Sequence, residues 1–336
     1  MKLLKYLFFL ILIFIIGGSM YLATLNGNYD VKQTTIIKAP VAVVFNEIND
    51  YKNWQNWGPW YEMDSSIVAT YPEVTSGENA SYSWKGKEGG GTMKTISLIP
   101  NKELIQQIDF GTGSTPEVYW NLKKMSDSTE VTWGMRGKNT FMEKAYWLTQ
   151  GGIEKNITPM YKRGLKLLNN YITKEMEKHS IESKGVVDYG GGYYLYQTTA
   201  SKFSEIDKKT EEMFTLIMKY MKENNIQPTG KPFTITHKWD EENGTIMFST
   251  CIPVSERIVT NGDVLNGFIK PQKMFKTLFT GNYNYLPEAW KTAFKNLSAE
   301  NLKELSNAEP LEVYLVNQED TPNPAKWVTE ILIPIQ

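Results

Sequence analysis

The sequence is poor in the residues that most often carry chemistry: among 336 residues there is one cysteine, Cys251, and there are two histidines, His179 and His237. A single cysteine excludes an intramolecular disulfide framework and a cysteine-cluster zinc site. Two histidines exclude a multi-histidine metal site that has no carboxylate help. An excess of charge is missing too. Lys plus Arg total 36 and Asp plus Glu 37, a net charge of −1, so the whole chain carries no basic field for gripping phosphates and no nucleic-acid partner is expected. The triple-glycine run at 190–192 is followed by no lysine–serine or lysine–threonine pair and is not a phosphate loop. Neither histidine has a serine, cysteine or acid at a recognisable triad spacing, and Cys251, between Thr250 and Ile252, reads as a buried, inert thiol. The expectation is no catalytic residue, no metal and no cofactor.

What is present suffices for folding. Hydrophobic residues make up 41% and charged residues 22% of the chain, a globular composition. At about 100–200 residues per domain, the length suggests two domains. The first 27 residues stand apart. Lys2 and Lys5 precede an uncharged run at 6–25, YLFFLILIFIIGGSMYLATL. As a helix, that run spans about 30 Å, the thickness of a bilayer core. The positive flank orients the N-terminus to the cytoplasm and the bulk of the chain to the other side, periplasmic or outer in a bacterial cell. A cleaved signal peptide is the competing reading, although the run is long for one and lacks a small-x-small site after it. The expected organisation is a single-pass anchor (1–27) and two domains (30–180 and 185–336).

Seven of the ten tryptophans fall between Trp54 and Trp147. In this stretch residues 31–38 read as a strand and 41–49 as a short helix, followed by a tryptophan-rich loop. Strand-like runs follow at 65–70, 80–85, 91–98, 103–110, 118–123 and 129–136, separated by turn residues as in an antiparallel meander. A long helical stretch at 141–178 closes the region, with a break or kink at Gly151-Gly152 or Thr158-Pro159. Three residues groups carry a family resemblance: Ile36-Ile37-Lys38-Ala39-Pro40, then Val44-Phe45, then Asp50 with the run from Trp54 to Trp60. The region resembles the START-like, or polyketide-cyclase-like, helix-grip family (SRPBCC). That resemblance implies a curved sheet gripping a helix around an apolar cavity, with Trp57, Trp84 and Trp133 as candidates to line it.

Residues 182–192 read as a linker. Beyond them lies an internal repeat: 247–254 (MFSTCIPV) and 328–335 (VTEILIPI) each follow an amphipathic helix, at 204–224 and 285–305, and each helix is preceded and followed by strand-like runs. Gly281-Asn282-Tyr283, Leu286, Ala289-Trp290, Cys251-Ile252-Pro253-Val254 and the run from Thr329 to Ile335 make this half similar to the GyrI-like, or AraC-type effector-binding, domain; Cys251 stands where that family has glycine. The fold class expected is α+β: an N-terminal transmembrane helix, a helix-grip antiparallel sheet domain, then a duplicated strand-helix-strand-strand module.

Strand alternation puts Thr329, Ile331 and Ile333 on one face of the last strand and Val328, Glu330 and Leu332 on the other. An acidic side chain there must be solvated, paired or facing a cleft. The resemblance implies that Glu330 lies in a ligand groove, and its repeat equivalent is Ser249. Tyr194, Tyr283, Trp290 and Trp327 are the aromatic candidates around it, for stacking on a cation or planar ring. The expected function is a membrane-anchored binder, through residues 6–25, of small hydrophobic or cationic aromatic ligands. Two alternatives stand beside it: a hydrolase of small electrophiles with Glu330 as general base, and a structural role in the cell envelope.

Overall fold

A computed structural model of the protein describes residues 2–87 and 89–336. The chain divides into two compact units, Met1–Glu175 and Met176–Gln336.

The first unit opens with helix α1 (Lys2–Thr24). Among the described residues it is the one helix long and apolar enough to cross a membrane, and its most apolar stretch is entirely unburied. Strand β1 (Asn28–Ile37) leads into α2 (Val41–Asn49), a 3₁₀ turn (Tyr51–Asn56) and the short α3 (Pro59–Met63). Strands β2 (Val68–Thr70), β3 (Ser81–Gly86), β4 (Gly89–Ile99), β5 (Glu103–Asp109), β6 (Glu117–Lys124) and β7 (Thr129–Lys138) follow, then α4 (Phe141–Thr149) and α5 (Ile153–Met176). This is the expected order of strand, short helix, six strands and long helix. The strand expected at 65–70 is shortened because Asp64 accepts from Ser66 N at 2.9 Å and turns the chain there. The long helix breaks at Gly151 and Gly152, both with positive φ (78° and 104°), and α5 continues through Pro159.

The seven strands form one antiparallel sheet in the order β1-β7-β6-β5-β4-β3-β2. Helix α5 lies against it through Tyr161, Gly164, Leu165, Leu168 and Ile172, all buried. Rings fill the interior. Trp120 stacks on Trp133 at 4.5 Å, and Trp133 stacks on Tyr161 of α5 at 4.1 Å. Trp54 and Trp57 close on Trp120 at 6.1 and 5.9 Å. Some polar atoms inside are paired: Trp54 Nε1 donates to Ile48 O, Trp120 Nε1 to Gln106 Oε1, and Gln106 Nε2 to Tyr51 OH; the indole N–H groups of Trp57 and Trp133 are buried without a hydrogen-bond partner among the described residues.

The second unit contains β8 (Ser180–Tyr189), β9 (Gly192–Lys202), α6 (Ile206–Glu223), β10 (Phe233–Asp240) and β11 (Thr245–Val254), then β12 (Leu265–Ile269), β13 (Gln272–Thr280), α7 (Leu286–Ala299), β14 (Leu311–Val316) and β15 (Val328–Pro334). Residues 182–192 are therefore not a linker: most of them belong to β8, a sheet-edge strand paired along its length with β13. Gly185, at φ 73°, sits where the register shifts, the signature of a bulged edge. Helix α7 ends earlier than the sequence suggests, since Asn301 takes a left-handed conformation (φ 57°) and stops it; Asn225 does the same after α6 (φ 56°).

The order strand–strand–helix–strand–strand occurs twice, and the antiparallel sheet reads β12-β9-β11-β10-β14-β15-β13-β8. That order is palindromic in the two halves. Each half gives its leading strand to the other: β8 pairs with β13, and β12 with β9. The centre is the β10–β14 pair, where Thr234 stands opposite Glu312. One face of the sheet packs on the helices, with α7 covering Phe275, Phe279, Ile331 and Ile333, and α6 covering Leu195, Ile252 and Val254. The other face holds a second core of Phe233, Ile235, Cys251, Met274, Leu311 and Leu332. Val187 and Tyr189 of β8 and Ile269 of β12, from opposite edges, both pack on it, so the sheet curls over this face.

Candidate functional site

Strand β14 reads LEVYLV. Leu311 and Val313 point to the second core, so alternation turns Glu312 and Tyr314 toward the helices. Their contacts agree. Trp290 of α7 donates its indole N–H to Glu312 Oε1, Tyr314 OH donates to Glu312 Oε2 at 2.9 Å, and Tyr314 meets Phe214 of α6 edge-on at 6.2 Å. Thr234 Oγ1 lies 3.2 Å from Tyr314 OH. Tyr283, just before α7, lies 5.7 Å from Tyr314 and 4.6 Å from Trp327.

Glu312 is a carboxylate among five aromatic rings, reached by both helices. The residue as a whole is half-buried. Burial pushes its pKa up; the Trp290 and Tyr314 hydrogen bonds pull it back, and the Asp207 charge adds to the rise. The Tyr283 and Tyr314 hydroxyls are also pushed up by burial and by the Glu312 charge. Among the described residues no lysine or arginine pairs with Glu312. A buried carboxylate with two hydrogen bonds and no counter-ion invites a cation.

Residues 193–336 match the GyrI-like small molecule binding domain. The match begins inside β9, so β8 lies outside it. No curated protein is significantly similar to the chain. Solved structures it resembles include the DNA complex of EcmrR, 16% identical with a TM-score of 0.41 over 58% of this chain and 71% of that one. The EcmrR C-terminal domain is 17% identical, with a TM-score of 0.41 over 47% and 98%. SA2116 from Staphylococcus aureus, described as of unknown function, is 11% identical with a TM-score of 0.36 over 46% and 98%.

Of the expected site residues in the GyrI-like domain, Tyr283, Trp290 and Trp327 gather around Glu312 and Tyr314. Glu330 and Tyr194 do not, because they lie on the opposite face of the sheet. Glu330 is not a lone carboxylate: Lys276 on the neighbouring strand pairs with it, and the Glu330 side chain is 16% exposed. On that face Tyr194 is partly buried and packs on the second core, edge-on against Phe233 at 5.4 Å.

The sequence reading missed Glu312 and Tyr314. The signal was the one used for Glu330, an acid at an inner position of an apolar strand; what the sequence withheld was which face the helices cover. It also missed the surroundings of His237. Its Nδ1 lies 2.6 Å from Glu309 Oε1 and its Nε2 lies 2.6 Å from Ser249 Oγ, which is also 2.7 Å from Thr198 Oγ1. His237 is the extra residue at a bulge in β10, which re-aims its ring. The sequence of contacts is that of a serine hydrolase relay, but Ser249 is 1% exposed and its hydroxyl is engaged on both sides, so it functions as a buried polar link.

In the first unit, Trp57 and Trp133 are 1% and 2% exposed. Both pack in the ring cluster of this unit, Trp57 at 6.1 Å from Trp133 and Trp133 stacked on Trp120. Trp84 joins this cluster through Tyr82, 5.4 Å from Trp84 and 6.0 Å from Trp54, and meets Phe110 edge-on at 5.9 Å. Among the described residues no group of histidine, cysteine and acidic side chains is placed to hold a metal.

Proposed function

We propose that the GyrI-like domain binds a small cationic aromatic molecule at Glu312, in a chain held to a membrane by α1. The observation that carries this reading is the enclosed, unpaired Glu312 carboxylate among Trp290, Tyr314, Tyr283, Trp327 and Phe214. The carboxylate supplies the counter-charge, and each ring that meets the cation adds about 0.5–2 kcal/mol. A neutral ligand of the same shape gains the ring contacts without the charge, so the site discriminates by charge. The test is titration of the full chain with a cationic aromatic dye and its neutral isostere. Glu312→Gln keeps the size and one acceptor oxygen for the Trp290 N–H, turns the second oxygen into an N–H donor toward Tyr314 OH, and removes the charge. It is expected to weaken the cation at least about tenfold, roughly 1.4 kcal/mol, and the isostere much less. Equal losses for both ligands refute the assignment.

The upward shift at Glu312 also favours a second reading, in which the carboxylate takes a proton from water attacking a bound electrophile. That reading requires turnover of an activated electrophile, abolished in Glu312→Gln.

A further inference from the structure

Helix α4 is built the wrong way round for a helix in water. Phe141, Met142, Ala145, Tyr146 and Leu148 fall on one continuous arc at 100° per residue, and Glu143, Lys144 and Trp147 fall on the other side. In a soluble domain the apolar arc faces inward. Here the polar side is held by the protein: Glu143 accepts from Thr112 Oγ1 at 2.8 Å, from Ser114 Oγ and from Thr140 N at 2.8 Å, and Lys144 Nζ donates to Leu25 O at 2.6 Å and Leu22 O at 3.4 Å. The apolar side is left outside. No residue of α4 is buried, and Met142 is 73%, Tyr146 57% and Leu148 51% exposed.

The partner follows from where α4 sits. Lys144 caps the last carbonyls of α1, and Asn139 N donates to Gly27 O at 2.9 Å, so α4 is fixed beside the point at which α1 ends. If α1 crosses a bilayer, that point is the membrane surface, where an aromatic side chain such as Tyr146 is favoured and a helix with an apolar face lies in the plane of the interface. We propose that α4 lies in the headgroup layer of the membrane that α1 spans, with Met142, Tyr146 and Leu148 directed toward the acyl chains. This rests on the reading of α1 as an anchor.

The test uses the full chain in phosphatidylcholine–phosphatidylglycerol vesicles, with a fluorophore on Met20→Cys, Met142→Cys or Tyr146→Cys; Cys251, fully buried, stays unlabelled. A nitroxide placed shallow in the acyl chain is expected to quench positions 142 and 146 by about twofold or more, while aqueous iodide leaves them bright. Quenching at Met20 by lipid but at 142 and 146 only by iodide overturns the inference and leaves the anchor standing. Absence of lipid quenching at all three positions overturns both. Cross-linking of two copies through position 142 without lipid quenching assigns the face to a second copy and also overturns the inference.

Discussion

Glu312 and Glu330 occupy similar places in sequence, each an acid inside an apolar strand near the C-terminus, and the fold treats them differently. Glu330 is neutralised by Lys276, whereas burial raises the pKa of Glu312 above its ordinary value of 4.5. Two signs follow. The folded chain holds the Glu312 proton more tightly than the unfolded chain does, so this group's contribution to stability is full below the ordinary carboxylate range and is lost as pH rises through the raised value. A bound cation needs the charged form, so binding expels the proton, and affinity for the dye falls as pH is lowered, with a midpoint above 4.5. Anisotropy titrations across this range check the direction, and in Glu312→Gln the dependence disappears. Glu330→Gln is expected to leave dye affinity within about twofold of the parent, because that carboxylate is already paired; a loss matching that of Glu312→Gln returns the site to the opposite face.

At the level of elements, the approach of α5 to the sheet depends on a missing side chain. A Cβ at Gly164 would lie 2.5 Å from Trp133 Cζ3 and 3.1 Å from Pro59 Cδ. Gly164→Ala gains about 1 kcal/mol of helix propensity but overpacks a site walled by an indole and a proline ring, at a cost of about 1–3 kcal/mol. The net expectation is destabilisation, read as a lower urea midpoint of tryptophan fluorescence for the full chain; an unchanged or higher midpoint shows that the rings give way. Elements governed by nearby residues were legible in the sequence: the Gly151-Gly152 break, the short helix after Pro40, and the strands between turn residues. Strand β8 was not. It carries Glu182, Lys184 and Asp188 and is a strand because β13, roughly ninety positions later, pairs with it. The candidate site was half legible for a related reason: periodicity shows that Glu312 and Glu330 each sit opposite apolar neighbours, but only the placement of α6 and α7 decides which of them meets the aromatic rings.

For the molecule as a whole, the anchor reading predicts that the N-terminus isolated from cells begins at residue 1 or 2 and that the protein stays in the membrane pellet after carbonate extraction. An N-terminus beyond residue 20, with the protein in the supernatant, identifies α1 as a leader that is removed. The exchange of leading strands in the second unit has a consequence for synthesis. Ser180 pairs with Thr280, so the edge of β8 waits for the ribosome to add a further hundred positions, about 5–20 s at 5–20 residues per second. During that interval β9 lacks β12, and neither half can complete its share of the sheet alone. A nascent chain stalled before β13 presents open strand edges to other chains, and truncation there is expected to yield a sticky fragment instead of a smaller working domain.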